Sequence, residues 1–558
     1  MITIEQIQQH LIKQKADAYI ITRNNMFLGQ DILPEENKIF ELTNFDGSAG
    51  NLIIFRDKVI LFVDGRYDTQ AREQTNSSQI EVICTKDSIG SWIYSNIKES
   101  CKFIYNSWCH SISEVDYWKR SLSHHEFIED KFDILGSRIS SNNADIFELD
   151  EQFAGISSEE KISYLTKFCL DNKLDAYLIC ECDSVSWLMN LRSNLLNNTP
   201  ILRAFALVDT SGETSLFINN FSALNDELKK YNGKNIGIAY NRTPKAIQSI
   251  MKENHIWLHN INNPIVEWKA IKNQIEISGI KSAHIQDGIA VCQFLCWLEK
   301  NYLNSSELDI VTKLYDFRRQ RQNFYSNSFD TIAGFNKNGA IIHYHPTKQT
   351  NLKLNQDSIL VLDSGAQYLN GTTDITRTIA IGKPSSEMIS SYTEVLKAHI
   401  AAASTIFPLN TSGSSIDTIS RAALWQYGKD YAHGTGHGVG HFLNVHEGPQ
   451  SLSSKGSFPL KKDMVVSIEP GFYKEGEYGI RIENLVLITE TNTKFMPTML
   501  KFEPLTMVPF DRNLINKNML TKHEIDYINK YHQQVLSNLE NLVDKTTLKW
   551  LKKACKQI

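Results

Sequence analysis

Two aspartates lie in an apolar, strand-like part of the C-terminal half. The segment VLDSGAQYLNGTTDITRTIAIG contains Asn370-Gly371, a strong hairpin signal. With those two residues at the turn, Gln367 is expected to face Asp374. Asp363 then falls on the same sheet face, displaced along the strand. Two carboxylates on one apolar face lose hydration and repel each other unless a cation lies between them. The segment therefore indicates a cation site.

A second acidic pair follows in MVVSIEPGFYKEGEYGIRIENLVLI. Glu469 and Glu483 are each seven residues from Gly476, the expected centre of another hairpin. They are predicted to be neighbours across that hairpin. The flanking residues are again apolar, so this pair has the same need for a positive charge.

Histidines form the third group of residues that could carry chemistry. The glycine-rich segment YAHGTGHGVGHFLNVHEGP holds four of the chain's 16 histidines, at positions 433, 437, 441 and 446. Glycines allow close backbone approach and disfavour a regular helix. The segment lacks the GxGxxG spacing and the lysine of a phosphate loop. His343, in GAIIHYHPT, is predicted to end an apolar strand.

Each feature alone has an ordinary structural explanation. A buried aspartate in a hairpin is usually a turn or cap residue, and a histidine on an apolar face is usually a hydrogen-bonded core residue. Together, four carboxylates and one histidine on separate apolar scaffolds favour metal binding. Two divalent cations would neutralise four carboxylates. Oxygen-dominated ligation with one imidazole suits Mn²⁺, Co²⁺, Fe²⁺ or Zn²⁺, in contrast to a metal selected by thiolates. Of these we expect Mn²⁺.

An internal repeat organises the N-terminal half. KADAYII at residues 15–21 recurs as KLDAYLI at residues 173–179, and each copy follows a helical pattern. The runs NLIIF and KVILFVDGRY follow the first copy, and FALVD and TSLFINN follow the second. The sequence therefore predicts two similar α/β domains, at residues 1–150 and 153–263, joined by a polar linker from Ser137 to Asp150.

A third, α+β region of residues 264–558 carries the candidate site. It is predicted to contain a long helix from Ile275 to Trp297, a helix near Ile389 to Ile406, and a helical tail from Lys522 to Lys556. Short strands with glycine and asparagine turns account for the rest.

Composition excludes several classes of protein. The formal net charge of -5 over 558 residues gives no sign of a nucleic acid or acidic membrane partner. No run of about 18 apolar residues predicts a membrane span, and the N-terminus lacks the apolar core of a signal peptide. The nine scattered cysteines are typical of a reducing compartment, so we expect a cytoplasmic protein.

The motifs resemble those of the pita-bread metallopeptidases, a family that includes methionine aminopeptidase, prolidase and the Xaa-Pro aminopeptidases. The segments DSGAQY…GTTDITRT, HGTGHGVG…FLNVHEGP and IEPGFY…GIRIEN are most similar to the three-domain Xaa-Pro aminopeptidases of the eukaryotic cytosolic P type. The resemblance covers nearly the whole chain. It implies two creatinase-like N-terminal α/β domains followed by a pita-bread catalytic domain with a C-terminal extension.

The resemblance also assigns roles to residues. The family's order of ligands (Asp, Asp, His, Glu, Glu) matches Asp363, Asp374, His437, Glu469 and Glu483. It implies that Asp374 and Glu483 bridge both ions and that Glu469 doubles as general base. The remaining matches are three cleft histidines for substrate binding and proton transfer, one arginine for substrate contact and one arginine that orients the carboxylates: His343, His433, His446, Arg66 and Arg481.

The predicted activity is hydrolysis of the bond between an N-terminal residue and a following proline, by water activated at two metal ions. The proline specificity and an expected homodimer come from the resemblance. Two alternatives remain at this point: a prolidase restricted to dipeptides, and a non-catalytic binding protein on the same fold. A creatine amidinohydrolase is disfavoured, because that lineage has lost the ligands that this chain retains.

Overall fold

The computed structural model describes residues 2–29, 31–136, 144–218 and 221–558. The chain forms two compact units. The first comprises Met1–Glu148, Ile156–Leu196 and Ile201–Ile265, and the second comprises Leu149–Gly155, Asn197–Pro200 and Val266–Ile558. The three domain boundaries expected from the sequence remain predictions.

The first unit contains two main sheets. The strands are β1 (Ala18–Thr22), β2 (Asn51–Phe55), β3 (Val59–Val63), β4 (Glu81–Cys84), β5 (Lys102–Tyr105), β6 (Glu126–Glu129), β7 (Ile146–Glu148), β8 (Ala176–Ile179), β9 (Leu191–Ser193), β10 (Phe205–Asp209), β11 (Thr214–Phe217), β12 (Asn235–Ile238) and β13 (Trp257–Asn260). One sheet has the order β4-β3-β2-β1-β5-β6 and the other the order β11-β10-β8-β12-β13. The helices are Ile4–Gln14, Lys38–Thr43, Asp68–Gln74, Ile89–Asn96, Ile112–Ser121, Ser158–Asp171, Cys182–Leu188, Phe221–Leu228 and Lys245–Glu253.

The internal repeat corresponds to a repeated structure. β1 lies between antiparallel β2 and parallel β5, and β8 lies between antiparallel β10 and parallel β12. The aspartate before each strand makes the same bond: Asp17 Oδ2 accepts from Lys102 N at 2.9 Å, and Asp175 Oδ2 accepts from Asn235 N at 2.8 Å. The four strands that follow the two copies, β2, β3, β10 and β11, fall on the predicted apolar runs. The expected similarity of the two halves is therefore confirmed for these elements.

The described part of the predicted linker contains a strand. Residues 137–143 lie outside the described part of the chain. Ile146–Glu148, expected as linker, instead forms β7 and pairs antiparallel with β9. The polar composition hides this strand because none of its three residues is fully buried.

The second unit is α+β. Its strands are β14 (Phe324–Asn327), β15 (Ile332–Phe335), β16 (Ser358–Ser364), β17 (Ala366–Tyr368), β18 (Gly371–Thr372), β19 (Ile375–Ile381), β20 (Ile406–Pro408), β21 (Gly436–His437), β22 (Ser451–Leu452), β23 (Val465–Ile468), β24 (Gly471–Lys474), β25 (Tyr478–Arg481), β26 (Asn484–Thr491) and β27 (Met499–Pro504). They form the sheets β14-β17-β18, β15-β16-β19 and β20-β27-β26-β23, and the pairs β21-β22 and β24-β25. The helices are Glu151–Ala154, Ile265–Ala270, Gln274–Asn301, Glu307–Arg318, Ser386–Ala403, Gly413–Trp425, Lys522–Leu539 and Lys545–Ala554.

The predicted long helix is present and extends over Gln274–Asn301. It begins at a capping box, in which Asn273 Oδ1 accepts from Glu276 N and Glu276 Oε2 accepts from Asn273 N, both at 2.9 Å. Its apolar stripe, including Ile280 and Phe294, is buried in the unit. Within the described part of the chain, every helix is too short or too polar to span a bilayer.

Candidate metal centre

The first acidic hairpin folds in a different register from the predicted one. Gln367 faces Thr372 and Tyr368 faces Gly371, so the turn is Leu369-Asn370 and the predicted pairing of Gln367 with Asp374 is wrong. Gly371 is needed for packing instead of the turn: a Cβ there would lie 3.1 Å from the Cα of Ile280 in the long helix. The observed register is shifted by two residues from the predicted one. Because side chains alternate with a period of two, every side chain stays on its predicted face of the sheet.

This register brings the two aspartates together. Asp363 in β16 pairs with Thr376 in β19, and Asp374 lies two residues before Thr376 on the same face. Gly365 lies between β16 and β17 and interrupts the ladder of hydrogen bonds. The ladder continues on both sides of it. A Cβ on Gly365 would lie 2.1 Å from both Ser328 Oγ and Thr373 O. The backbone therefore closes tightly beside the two aspartates.

The second hairpin has the predicted register. Ile468 pairs with Asn484 on one side and Gly471 pairs with Arg481 on the other. Glu469 and Glu483 consequently lie opposite each other, between the two ladders. Gly476 lies in the turn with a φ of +73°, a conformation that favours glycine.

The two hairpins and the glycine-rich segment converge on one cluster. The ligand-type atoms lie within 4.8 Å of one another in each of three groups: Asp363, Asp374 and Glu483; His437, Glu469 and Glu483; and Asp374, His437 and His446. His437 Nε2 lies 3.4 Å from Asp374 Oδ2 and 3.5 Å from Glu469 Oε1. All five residues matched to the family's ligands therefore lie at one place.

In Asp363 and in Glu483, one carboxylate oxygen accepts a hydrogen bond from the protein and the other oxygen has no hydrogen-bond partner. Arg481 Nη2 donates to Asp363 Oδ2 at 2.6 Å, and Thr376 Oγ1 donates to Glu483 Oε2 at 2.9 Å. The other oxygens of these two acids, Asp363 Oδ1 and Glu483 Oε1, are buried without a hydrogen-bond partner, as is Asp374 Oδ1. Buried bare carboxylate oxygens carry a large desolvation cost, which a bound cation would offset.

The pKa values of the acidic residues also favour a bound cation. Burial, and then the charges of Asp363 and Glu469, raise the pKa of Asp374 well above its usual range. Burial, and then the charge of Asp374, have the same effect on the pKa of Glu483. Burial also raises the pKa of Glu469. The raised pKa values disfavour ionisation of all three acids at once. A bound cation would offset their mutual repulsion and favour the ionised forms.

His437 has the geometry of a metal ligand. Its Nδ1 lies 2.9 Å from the carbonyl oxygen of Gly438, which can only accept, so Nδ1 donates there and Nε2 faces the carboxylates. Spacings of 3.4 and 3.5 Å from Nε2 to carboxylate oxygens equal the edge of a tetrahedron with ligand distances of about 2.1 Å. The donor set thus fits two divalent cations.

The other predicted site histidines differ in their positions. The ring of His446 is exposed and its centroid lies 4.3 Å from that of His437. His433 Nδ1 lies 2.8 Å from Gly434 O, which leaves Nε2 to accept from Tyr473 OH at 2.9 Å. His441 is buried and belongs to none of the three groups found among the described residues.

His343 does not end a strand as predicted. β15 ends at Phe335, and His343 lies in a turn after the 3-10 helix Asn336–Ala340. The buried carboxylate of Glu307 organises this loop, because it accepts from Phe335 N and Leu352 N, both at 2.8 Å. Among the described residues, His343 is in none of the three ligand groups.

The two predicted arginines have different surroundings. Arg66 lies in the first unit, where it forms a two-pronged bond to Asp64, at 2.9 Å through Nε and 2.7 Å through Nη2. Arg481 is buried and donates to Asp363, and its role in orienting the carboxylates stays a prediction.

Sequence reasoning missed Tyr473. Arg481 Nη1 donates to Tyr473 OH at 2.7 Å, and this hydroxyl donates in turn to His433. Burial raises the pKa of Tyr473 to about 12, so the phenol stays protonated. A signal was available: Tyr473 is four residues after Glu469, and alternation along the strand places both on one face.

Comparisons with known proteins identify the relatives of each region. Residues 278–490 match the family model for metallopeptidase family M24, and residues 498–558 match the C-terminal region of that peptidase family. Residues 3–131 and 137–236 match two models of the creatinase/prolidase N-terminal domain. The duplicated half and the candidate metal centre thus fall in separate matched regions.

Full-length relatives agree with these matches. Xaa-Pro aminopeptidase 1 of Dictyostelium discoideum is 34% identical over 100% of this chain and 96% of its own length. Xaa-Pro aminopeptidase ApepP of Drosophila melanogaster is 33% identical over 97% of this chain and 95% of its own.

Solved structures show the same fold. The X-prolyl aminopeptidase of Caenorhabditis elegans, described as a cytosolic enzyme with a di-nuclear active site, has a TM-score of 0.91 and 28% identity over 97% of this chain and 95% of its own. A prolidase from Pyrococcus horikoshii OT3 shares the fold over 63% of this chain, with a TM-score of 0.51 and 24% identity. The chain belongs to metallopeptidase family M24, among the Xaa-Pro aminopeptidases that carry two creatinase-type N-terminal domains before a pita-bread domain.

Proposed function

We propose that this protein is a two-metal aminopeptidase that releases the N-terminal residue from peptides with proline in the second position. The observation that carries the proposal is the convergence of four carboxylates and His437, with three buried carboxylate oxygens that have no hydrogen-bond partner. The names of the relatives supply the proline specificity, which the cluster itself does not encode.

The residues divide between two ions. Asp363 would bind one ion, His437 and Glu469 would bind the other, and Asp374 and Glu483 would bridge both. This division is compatible with two of the groups: Asp363, Asp374 and Glu483 form one, and His437, Glu469 and Glu483 form another. When bound, two divalent cations at such a centre acidify a shared water and polarise the carbonyl of the peptide. We propose Mn²⁺ as the metal, because oxygen ligands dominate the set.

Glu469 is the proposed general base. Its side chain is 19% exposed, against 5% for Asp374, so an incoming water can reach it. Ser467 Oγ donates to Glu469 Oε1 at 3.2 Å and accepts from His437 N at 2.9 Å, which fixes the carboxylate relative to the histidine. A fixed carboxylate within reach of water can take its proton as the carbonyl is attacked.

The histidines are proposed to bind the substrate and move the second proton. His446 is exposed beside His437, where it can reach the departing proline nitrogen. That nitrogen has no hydrogen of its own in the peptide, so it must receive a proton to leave. We assign His433 and His343 to the substrate cleft, and Arg66 to substrate contact, on the resemblance. Arg481 is assigned to orienting Asp363.

The test uses metal-stripped protein reloaded with Mn²⁺. We expect release of the N-terminal residue from Arg-Pro-Pro, and a loss of at least about 100-fold in Asp374→Asn because a bridging ligand is gone. Asp357→Asn is the matched control, because Asp357 lies at the far end of the same hairpin and bonds Lys383 N at 2.9 Å. Cleavage of Gly-Pro alone would instead identify a prolidase. No cleavage of either peptide with Mn²⁺, Co²⁺, Fe²⁺ or Zn²⁺ would favour the binding protein.

Two further properties are proposed, the first from a relative and the second from the resemblance of the motifs. The C. elegans enzyme is described as cytosolic, and we propose a cytoplasmic location for this chain as well. We also propose a homodimer, which sedimentation of the holoenzyme would test.

A further inference from the structure

Three charged side chains are completely buried beside the candidate metal centre. Glu447 Oε1 accepts from Lys272 Nζ at 2.8 Å, and Glu447 Oε2 forms an ion pair with Lys269 Nζ at 2.9 Å. The three side chains are at most 1% exposed. We call Lys269, Lys272 and Glu447 the buried triad.

The buried triad is costly because three charged groups are taken out of water. Two ammonium groups meet one carboxylate in the low-dielectric interior, where all three groups lose their hydration. Well-packed apolar residues of similar volume are often at least as stabilising as a buried ion cluster. Stability alone is therefore a weak explanation for these three residues.

The lysines are themselves fixed where the second unit begins. Lys272 Nζ donates to Lys269 O at 2.6 Å, and Lys272 N donates to Asp463 O at 3.0 Å. The next residue, Asn273, caps the long helix. The carboxylate of Glu447 is thus attached to a rigid part of the fold.

A single carbonyl connects Glu447 to His437. Glu447 N donates to Gly438 O at 2.8 Å, and the same oxygen lies 2.9 Å from His437 Nδ1. Gly438 has no room for a side chain, because a Cβ there would lie 2.1 Å from Glu447 O. The position of Glu447 therefore decides where the acceptor for His437 lies. Glu447 also directly follows His446, whose ring packs on His437.

We propose that Glu447 is a positioning residue, held by Lys269 and Lys272, that sets the orientation of His437 and His446 toward the metal cluster. The proposal rests on the proposed two-metal site and adds residues outside its ligand set. Partners that orient a ligating histidine typically contribute 10–100-fold to metal affinity.

The experiment measures metal binding directly. Metal-stripped wild type and Glu447→Gln are titrated with Co²⁺, and the visible absorption of bound Co²⁺ reports affinity and coordination. Glutamine keeps the size of the side chain and removes the charge that holds the two lysines. We expect Co²⁺ to bind Glu447→Gln about 10–100-fold more weakly, with an altered absorption band.

Glu524→Gln is the matched control, because Glu524 pairs with Lys397 at 2.8 Å in the same unit but lies on the helix Lys522–Leu539. Unchanged Co²⁺ affinity in Glu447→Gln would overturn the proposal, whatever its thermal stability. Equal weakening in Glu524→Gln would also overturn it, because the effect would then be general destabilisation.

A second variant keeps the proposal testable if Glu447→Gln does not fold. Lys269→Met removes one ammonium and keeps the ion pair of Lys272 with Glu447, so we expect it to fold. Its Co²⁺ affinity should lie between wild type and Glu447→Gln, and where Glu447→Gln does not fold, wild-type affinity in Lys269→Met overturns the proposal. Wild type that binds no Co²⁺ would refute the metal centre itself, a distinct result.

Discussion

At the scale of single residues, a chain of hydrogen bonds joins Asp363, a candidate metal ligand, to His433. Asp363 accepts from Arg481, Arg481 donates to Tyr473, and Tyr473 donates to His433. The buried guanidinium has only a few partners, so each bond in the chain constrains the next. We infer that Tyr473 keeps both Arg481 and His433 in position.

Tyr473→Phe should lower kcat about tenfold and leave metal content unchanged, because it removes a hydrogen bond to a charged group worth about 1.5–3 kcal/mol. Steady-state kinetics on Arg-Pro-Pro and metal analysis of the purified variant check this. Tyr478→Phe is the control: its hydroxyl lies in the same hairpin but bonds Glu387 Oε1 at 3.0 Å. A Tyr473→Phe enzyme with wild-type kcat would show that the chain of bonds is dispensable.

At the scale of elements, both acidic hairpins are built in the same way. Each has two ladders in one continuous register with an interruption between them, and the acidic residues lie at or next to the interruption. An interrupted ladder frees the backbone locally, while the flanking ladders hold the side chains on a fixed face. Gly365 is the point where the first hairpin closes most tightly.

Gly365→Ala should therefore destabilise the protein by about 1–3 kcal/mol, since its Cβ would overlap the backbone oxygen of Thr373. Any backbone shift that relieves the overlap moves Asp374, so Mn²⁺ binding should weaken too. Urea unfolding and metal titration measure the two effects. Gly29→Ala has open space around its Cβ and should be nearly neutral; similar losses in both variants would contradict the steric explanation.

At the scale of the molecule, a buried arginine ties the C-terminal region to the hairpins of the second unit. Arg377 Nη1 donates to Glu483 O at 2.6 Å, and its Nη2 donates to Val508 O at 2.6 Å and to Tyr531 OH at 3.0 Å. Burial and this cation lower the pKa of His532 to about 3. His532 is therefore neutral in the folded protein, where its Nε2 accepts from Phe510 N at 3.1 Å.

This neutral histidine predicts a pH dependence of stability. The pKa of His532 is lower in the folded chain than its ordinary 6.5, so below that pH the unfolded chain binds a proton that the folded chain does not. The contribution of neutral His532 to the free energy of unfolding is complete above pH 6.5, and it is lost as the pH falls toward 3. Between pH 7.5 and 5, wild type should lose about 2 kcal/mol more free energy of unfolding than His532→Gln.

Urea unfolding at the two pH values measures the difference. Glutamine can still accept from Phe510 N, so the variant removes the titration and retains an acceptor. His523→Gln makes the same change on the exposed surface of the same helix and should behave as wild type. Parallel losses in wild type and His532→Gln would refute the prediction.

The sequence by itself determined the features that depend on local patterns. Alternation along each strand placed Asp363 with Asp374 and Glu469 with Glu483, because the side-chain period of a strand is a property of the chain alone. The repeat at residues 15–21 and 173–179 determined the likeness of β1 and β8 for the same reason. The resemblance to known motifs then selected His437 among the four clustered histidines.

Only the tertiary structure decided the features that depend on distant contacts. The first hairpin turns at Leu369-Asn370 with Gly371 against the long helix, and Glu307 accepts from Phe335 N and Leu352 N around the loop of His343. Lys272 meets Glu447 across 175 residues of sequence. Such a contact cannot be predicted from a local sequence pattern, because it depends on how whole elements pack once their apolar faces are buried.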